Sequence, residues 1–178
     1  LHYKPNFLFH FGEFSRVVPS FIIKKNCLDN NINGTLNVVK YALKKKSKLI
    51  YSATSMQLGN KLNENLSPYA WSKSKNVELI RNFSKWYNLN YSLCYFFNVY
   101  GKKQISSGVM ASVIGIFENQ FKKKKSLSVV KPGSQKRDFT HIDDVINGTI
   151  LCAIKGKKKS YYIGSGKAYS VLKVAKKF

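Results

Sequence analysis

The sequence lacks several features that would place it in a specialised class of protein. Its apolar runs stay well below the roughly 18 to 20 residues that a membrane-spanning helix needs, so we expect no membrane partner. Four prolines and eleven glycines in 178 residues are too few for a collagen-like chain. Three widely spaced cysteines, without a Cys-x-x-Cys pair, give no disulfide framework or zinc site. They suit a reducing compartment, and we expect a cytoplasmic protein.

Acidic residues are also scarce, and the chain is therefore strongly basic. Eight Asp and Glu stand against 31 Lys and Arg, which gives a formal net charge of +23. Such a charge is typical of nucleic-acid binding, but only Arg16, Arg81 and Arg137 carry the guanidinium that recognises bases and phosphates bidentately. The lysine runs fall at the ends of predicted helices, where they complement the helix dipole. We favour solvated helix ends, and a basic nucleic-acid-binding module stays the alternative of another class.

The rest of the composition fits a folded domain. Hydrophobic residues make up 44% of the chain and aromatic residues 14%, which suits a sizeable core and excludes intrinsic disorder. The apolar spacing predicts strands at 6–10, 49–52 and 91–96 and helices at 30–46 and 67–87. Beyond residue 100 it predicts a helix at 109–122, a strand at 127–130, a helix to 154 opened by a capping box at 140–143, a strand at 161–163 and a helix from Ser170. Ser67 is expected to cap the long helix, with Pro68 at its first position.

This order of elements predicts an α/β fold. Strands that alternate with helices favour a parallel sheet, here the second βαβαβ half of a doubly wound, dinucleotide-binding sheet. The first half of such a sheet carries a Gly-x-Gly-x-x-Gly turn, and no such spacing occurs in the sequence. We therefore expect a partial Rossmann domain together with part of a smaller substrate-binding region.

Three residues have the order that a hydride-transfer site needs. Thr54 follows the second predicted strand, at the carboxyl end where ligands bind in open α/β sheets. Tyr69 and Lys73 are four residues apart in the long helix and share one face. Because an ordinary tyrosine pKa is about 10, we expect the Lys73 ammonium and the helix N-terminus to favour the Tyr69 phenolate. A bare Tyr-x-x-x-Lys also occurs by chance on amphipathic helices, and that interpretation stays open.

A series of short motifs surrounds these residues in a characteristic order. It comprises Phe9-His10-Phe11-Gly12, Asn30-Asn31-Ile32-Asn33-Gly34-Thr35, Ile50-Tyr51-Ser52-Ala53-Thr54, Ser67-Pro68-Tyr69-Ala70-Trp71-Ser72-Lys73, Tyr95-Phe96-Phe97-Asn98-Val99-Tyr100-Gly101 and Arg137-Asp138-Phe139-Thr140-His141-Ile142-Asp143-Asp144-Val145. The series resembles the NAD-dependent epimerase/dehydratase family, the extended short-chain dehydrogenase/reductases that act on nucleotide sugars. Its likeness is to the UDP-glucose 4-epimerase branch, and it covers essentially the whole chain.

The resemblance implies a role for each matching position. The catalytic residues would be the base Tyr69, Lys73 and the hydroxyl-binding Thr54. The cofactor NAD would contact Phe11, Gly12, Glu13, Phe14, Ser15, Asn30, Ser52, Tyr69, Lys73 and Phe97. The nucleotide-diphosphate sugar would contact Thr54, Asn98, Val129 and Arg137, where arginine suits the diphosphate. For Asn30 a helix cap, and for Phe97 a place in the core, are equally open. We expect no metal site, structural roles for His10 and His141, and either local capping or a loop salt link for Asp138 and Asp143.

The resemblance also implies a branch and a division of the chain. Thr54 is followed by Ser55 and Met56 rather than by the Asp-Glu pair of the 4,6-dehydratases, so epimerisation or ketoreduction is favoured. Residues 1–100 would be the C-terminal half of the NAD-binding domain, and 101–178 a partial substrate-binding region with returning Rossmann elements. We expect a fragment truncated at both ends and inactive alone, a homodimer when complete, and, as an alternative, a ketoreductase or a sugar-nucleotide binder without turnover.

Overall fold

The computed structural model describes residues 3–55 and 67–178. The chain divides into two compact units, Leu1–Phe96 with Gly148–Tyr162, and Phe97–Asn147 with Ile163–Phe178. Within the described residues, none of the helices combines the length and the apolar character that crossing a membrane requires.

The first unit contains a parallel sheet flanked by helices. In chain order its elements are β1 Phe7–His10, α1 Val17–Ile22, α2 Lys24–Leu28, a π-helical turn Asp29–Asn33, α3 Gly34–Lys45, β2 Lys48–Thr54, α4 Pro68–Tyr87 and β3 Tyr91–Phe96. The sheet order is β1-β2-β3-β6, where β6 is Ser160–Ile163, and both β1 and β3 run parallel to β2. The predicted α/β class with a parallel sheet is therefore confirmed. Parallel pairing lines up Thr54 with Phe96 at the carboxyl ends of the two central strands.

Strand β2 is the centre of the apolar core of this unit. All its residues except Ser52 are buried, the pattern of a parallel strand covered on both faces. Leu49 and Tyr51 pack with Val39 of α3 and Ile80 of α4 in one cluster. A strand fixed on both faces holds the residues at its carboxyl end in defined positions.

Helix α4 follows its sequence signals closely. Ser67 has an extended backbone, and its side chain accepts a hydrogen bond from the Ala70 N–H at 3.0 Å. Pro68 occupies the first turn, where its missing N–H costs nothing. Tyr87 is the last residue of the helix, and Asn88 after it adopts the left-handed conformation that closes many helices. The predicted cap and the predicted end at Tyr87 are both confirmed.

The second unit has a small mixed sheet. Its elements are β4 Asn98–Tyr100, α5 Val113–Lys122, β5 Lys136–His141, β7 Ala168–Ser170 and α7 Val171–Ala175, while α6 Ile142–Ile154 divides between the units. In this sheet β5 lies between β4, to which it is parallel, and β7, to which it is antiparallel. Ser170 caps α7 by accepting from the Lys173 N–H, so the predicted helix start is correct.

Three predictions for this unit are wrong. Residues 127–130 are not a strand, and helix α5 begins at Val113 rather than at 109. Ser112 explains the later start, because its side chain accepts from the Gly115 N–H. Thr140 does not cap α6, since it lies in β5 and donates to Asp138; the His141 ring accepts from the Asp143 N–H instead. Strands β4, β5 and β7 and helices α1 and α2 had no clear periodic signal and were not predicted.

Candidate active site

The predicted catalytic residues converge at the carboxyl end of β2. Thr54 is the last residue of this strand, while Tyr69 and Lys73 lie in the first two turns of α4. All three are buried, with exposures of 8% for Thr54, 8% for Tyr69 and 4% for Lys73. The Thr54 and Tyr69 side chains are hydrogen-bonded to each other. A hydroxyl pair of this kind can share and transfer a proton.

The Lys73 ammonium makes three contacts at this end of the sheet. It donates to the Glu13 carboxylate and to the Ser52 carbonyl, and its third partner is the Ser52 hydroxyl at 3.2 Å. The ammonium also lies 4.7 Å from the centre of the Tyr51 ring. Burial lowers the pKa of Lys73, and the Glu13 carboxylate opposes that effect. The charged form of Lys73 therefore depends on Glu13.

Glu13 is the hub of a buried polar network. Its side chain is 1% exposed, and one oxygen, Oε2, accepts from Lys73. The other oxygen, Oε1, accepts from the Asn76 amide at 2.8 Å and from the Thr35 and Tyr51 hydroxyls at 3.0 Å each. A buried carboxylate is tolerated when it is paired and fully hydrogen-bonded, and this one meets both conditions.

The expectation that Lys73 favours the Tyr69 phenolate is wrong for this arrangement. Burial raises the pKa of Tyr69; the Thr54 hydrogen bond opposes this, the Glu13 carboxylate adds to it, and Arg16 opposes it. The cation that was expected to lower the pKa of Tyr69 is paired with the Glu13 carboxylate. The sequence pattern identified the lysine but not the carboxylate beside it.

The loop after β1 carries the predicted cofactor contacts. Phe11 is 48% exposed and meets Phe96 edge to face, with ring centres 5.8 Å apart. Gly12 and Ser15 are exposed, whereas the Glu13 side chain is used by the buried network. Phe14 is fixed through its backbone, since its N–H donates to the Asn31 side chain at 2.7 Å and its carbonyl accepts from it at 3.1 Å.

Residues that the sequence analysis did not single out hold this site together. Asn30 is exposed and stays a prediction, while its neighbour Asn31 is fully buried and also donates to Ser72 at 2.9 Å. Asn76 donates to the Asn31 carbonyl at 2.7 Å as well as to Glu13. A signal was available in α4, because Ser72 and Asn76 are polar residues on the face that buries Val77 and Ile80.

His10 has a structural environment, as expected. It is buried, its Nε2 lies 2.8 Å from the Thr35 hydroxyl, and burial lowers the pKa of its ring. Across residues 3–55 and 67–178, no group of three His, Cys, Asp or Glu side chains is arranged to hold a metal ion.

The predicted substrate contacts of the second unit lie on or near its small sheet. Asn98 on β4 donates to the Asp138 carbonyl on β5 at 3.3 Å, and Arg137 on β5 is exposed, with its guanidinium on the Lys136 carbonyl. Val129 is half-buried in the segment before β5. Phe97, which is a predicted NAD contact, packs so closely on Gly164 that a β-carbon at that glycine would come within 2.8 Å of its ring. These contacts leave the binding roles of the four residues as predictions.

Asp138 organises a loop of the second unit. Its carboxylate accepts from the Ser165 N–H at 2.9 Å and hydroxyl at 2.7 Å, from the Gly166 N–H at 2.9 Å and from the Thr140 hydroxyl. Partial burial acts to raise the pKa of Asp138, but the hydrogen bonds from Ser165, Gly166 and Thr140 outweigh it and lower the pKa.

The chain is similar to known proteins in both sequence and structure. The sequence profile of the NAD dependent epimerase/dehydratase family matches residues 1–164. A Methanocaldococcus jannaschii protein assigned as a UDP-glucose 4-epimerase is 31% identical over 154 residues, which cover 80% of this chain and 50% of that protein. The chain thus spans about half the length of the curated relatives it matches.

Two solved structures are similar over nearly the whole chain. The UDP-glucose 4-epimerase of Thermotoga maritima, crystallised with UDP-glucose, has a TM-score of 0.90 at 25% identity and covers 97% of this chain and 60% of its own. The Bordetella bronchiseptica enzyme WbmF, in complex with NAD+ and UDP, has a TM-score of 0.88 at 28% identity and covers 97% and 56%.

Proposed function

The chain belongs to the NAD dependent epimerase/dehydratase family, and from this membership we propose that it carries the proton-transfer residues of a nucleotide-sugar epimerase of the UDP-glucose 4-epimerase type. The observation that carries the proposal is the buried Thr54–Tyr69 hydroxyl pair at the carboxyl end of β2, with Lys73 one helical turn further along α4. The likeness to UDP-glucose 4-epimerases supports the same reaction class.

The residues at this end of the sheet fit NAD as the cofactor. Lys73 would bind a ribose hydroxyl, because its Ser52 hydroxyl contact, at 3.2 Å, is the longest of its three and the easiest to exchange. Phe11 offers an exposed aromatic face beside the strand end, and a β-carbon added at Gly12 would meet no atom within 4 Å beyond its chain neighbours. NAD, when bound, would supply the hydride acceptor that this chain lacks.

The chain's own contribution is to position the sugar and move one proton. The phenolate oxygen of the ionised form of Tyr69 takes the proton of the reacting sugar hydroxyl and later returns it, as epimerisation requires. Thr54 donates to this oxygen, and its hydrogen bond works against the burial that raises the pKa of Tyr69. Burial of both side chains excludes water, which strengthens each of these hydrogen bonds.

The remaining assignments are part of the same proposal. Residues 1–100 supply the C-terminal half of an NAD-binding domain, and 101–178 supply part of a substrate-binding region in which Asn98, Val129 and Arg137 bind the nucleotide-diphosphate sugar. The complete enzyme is a homodimer, and this chain by itself holds NAD weakly because it has no Gly-x-Gly-x-x-Gly turn. Calorimetry that gave a dissociation constant of about 1 μM or below for NAD and the chain alone would contradict that last point.

Activity of the polypeptide that carries this chain tests the proposal. With NAD added, we expect interconversion of UDP-glucose and UDP-galactose. NMR of the anomeric protons measures this reaction. Tyr69→Phe should lower kcat by about 100-fold or more, the range for loss of a general acid–base group, with NAD still bound. Tyr87→Phe is the matched control, because Tyr87 is 62% exposed at the end of the same helix. Equal kcat values for the two variants would refute the role of Tyr69.

The raised pKa of Tyr69 supports one second candidate. A sugar-nucleotide binder without turnover would keep Tyr69 protonated throughout, as burial favours in this chain. It would bind NAD and UDP-sugars by calorimetry, and no sugar nucleotide would be converted at any pH between 6 and about 10, where an ordinary tyrosine ionises.

A further inference from the structure

We propose that Glu13 is a positioning residue, whose carboxylate holds the Lys73 ammonium charged and directed at the carboxyl end of β2. The consequence of this pairing for catalysis rests on the proposed function, but the pairing of Glu13 with Lys73 does not. Glu13 lies on the loop after β1 and Lys73 on α4, so the contact joins two elements at the site.

The hydrogen bonds to Glu13 hold its side chain in position and require its ionised form. Oε1 has three donors, from Thr35, Tyr51 and Asn76, and Oε2 accepts from Lys73. Thr35 has one hydroxyl proton, which it gives to Glu13, while its oxygen accepts from Asn76. A carboxylic acid could not accept from all four donors, because its own proton would face one of them. The network therefore requires a carboxylate.

Among residues 3–55 and 67–178, Glu13 is the group that compensates Lys73. Tyr51 on β2 presents its ring to the ammonium, His10 on β1 interacts with it electrostatically, and Tyr69 lies one turn earlier on α4. None of these three carries a negative charge at neutral pH, since burial raises the pKa of both tyrosines and a histidine ring is neutral or positive. A lysine with 5% side-chain exposure would lose its proton more readily without the carboxylate.

Glutamine cannot replace the carboxylate in either orientation. With its oxygen at the Oε1 position, its NH2 group would point at the Lys73 ammonium, so two donors would face each other. Flipped, the NH2 group would face the Thr35, Tyr51 and Asn76 donors. Aspartate keeps the charge and moves it by one methylene, so it should restore part of the effect.

Titration of the lysine side chains in the chain itself tests the proposal. In chain labelled with 15N-lysine, the Nζ signal of Lys73 is assigned by its loss in Lys73→Arg and followed against pH. We expect Glu13→Gln to move its midpoint to lower pH by about one unit or more, the effect of one charge in contact, and Glu13→Asp to move it less. Lys48 is the internal reference, because it is buried but donates to the backbone carbonyls of Cys152, Ala153 and Gly156.

The exposed pair of Lys75 and Glu78 provides the matched control. The Lys75 Nζ and Glu78 Oε2 atoms are 3.0 Å apart, and the two side chains are 50% and 60% exposed. Glu78→Gln should therefore leave the signals of the buried Lys73 and Lys48 unchanged. An unchanged Lys73 midpoint in a folded Glu13→Gln chain would overturn the proposal. If that variant does not fold, a Glu13→Asp midpoint equal to that of the unaltered chain, with the Lys73 signal equally sharp, would overturn it.

The readout needs neither NAD nor sugar. A shifted Lys73 midpoint together with an inactive enzyme would keep Glu13 as the partner of Lys73 and reject the proposed function. An active enzyme with an unshifted Lys73 midpoint would reject Glu13 as the partner of Lys73 and keep the proposed function.

Discussion

Replacing Lys48 by methionine should destabilise the first unit although it adds no bulk to the core. Lys48 begins β2, is 7% exposed, and donates to the carbonyls of Cys152, Ala153 and Gly156 at 2.6, 2.7 and 2.6 Å. Cys152 and Ala153 lie in the last turn of α6, where helix carbonyls lack intrahelical donors, and Gly156 lies two residues beyond the end of the helix. Methionine keeps the apolar stem and removes all three donors.

The magnitude follows from the partners that remain. The Cys152 carbonyl also accepts from the Ser92 hydroxyl at 3.0 Å, so the Ala153 and Gly156 carbonyls lose most. Each buried carbonyl left without a donor costs about 1–3 kcal/mol. Against this, the variant no longer buries an ammonium, whose desolvation already lowers the pKa of Lys48. We expect a net loss of about 2–4 kcal/mol in the free energy of unfolding.

Urea unfolding followed by circular dichroism provides the measurement. The matched control is Lys40→Met, because Lys40 is exposed on α3 and should change stability by no more than about 0.5 kcal/mol. If Lys48→Met were as stable as Lys40→Met, the three short contacts would contribute nothing and the reasoning would fail.

Three further features of the structure, a helix cap, a buried thiol and a hydrogen-bonded carboxylate, lead to testable predictions. Ser67→Ala removes the acceptor of the Ala70 N–H and should cost about 1 kcal/mol in urea unfolding, whereas an unchanged midpoint would exclude the cap. Burial raises the pKa of the Cys94 thiol, so it should react with a thiol reagent only after denaturant is added, and fast native labelling would contradict its burial. The lowered pKa of Asp138 stabilises the fold above the ordinary aspartate pKa, and this is lost as the pH falls through the lowered value. Asp138→Asn should therefore be less stable than the unaltered chain at pH 7 and nearly equal to it at about pH 2, well below the ordinary pKa.

The parts of the fold that sequence could predict are those governed by local rules. The three parallel strands appear where short apolar runs occur, and α4 begins at Ser67 and Pro68 as capping chemistry requires. Strand β5 escaped prediction because its sequence is mostly polar and its pairing with β4 and β7 is non-local. The apolar run at 127–130 misled for the opposite reason, since it has strand composition but no partner strand.

The site shows the same division between local and non-local information. Tyr69 and Lys73 are related by helical spacing, so their shared face could be predicted from the sequence. Glu13 lies 60 positions before Lys73, and no spacing rule links the two. The electrostatics of the pair therefore could not be predicted, and the expected direction of the Tyr69 pKa was wrong because burial, and to a smaller extent the Glu13 carboxylate, raise that pKa.

A buried lysine lies at each end of strand β2, Lys48 in the strand itself and Lys73 in α4, and the two are stabilised in different ways. Lys48 at its start is held by three neutral carbonyl dipoles, which satisfy the ammonium but leave its positive charge in place. Lys73 at its carboxyl end is held by a carboxylate, which cancels the charge and links the ammonium to three further hydrogen-bonded neighbours, Thr35, Tyr51 and Asn76. Carbonyls suffice where a cation only ties a helix end to a strand. At the carboxyl end, burial raises the pKa of the nearby Tyr69 and the Glu13 carboxylate adds to this effect, so these surroundings favour the protonated phenol.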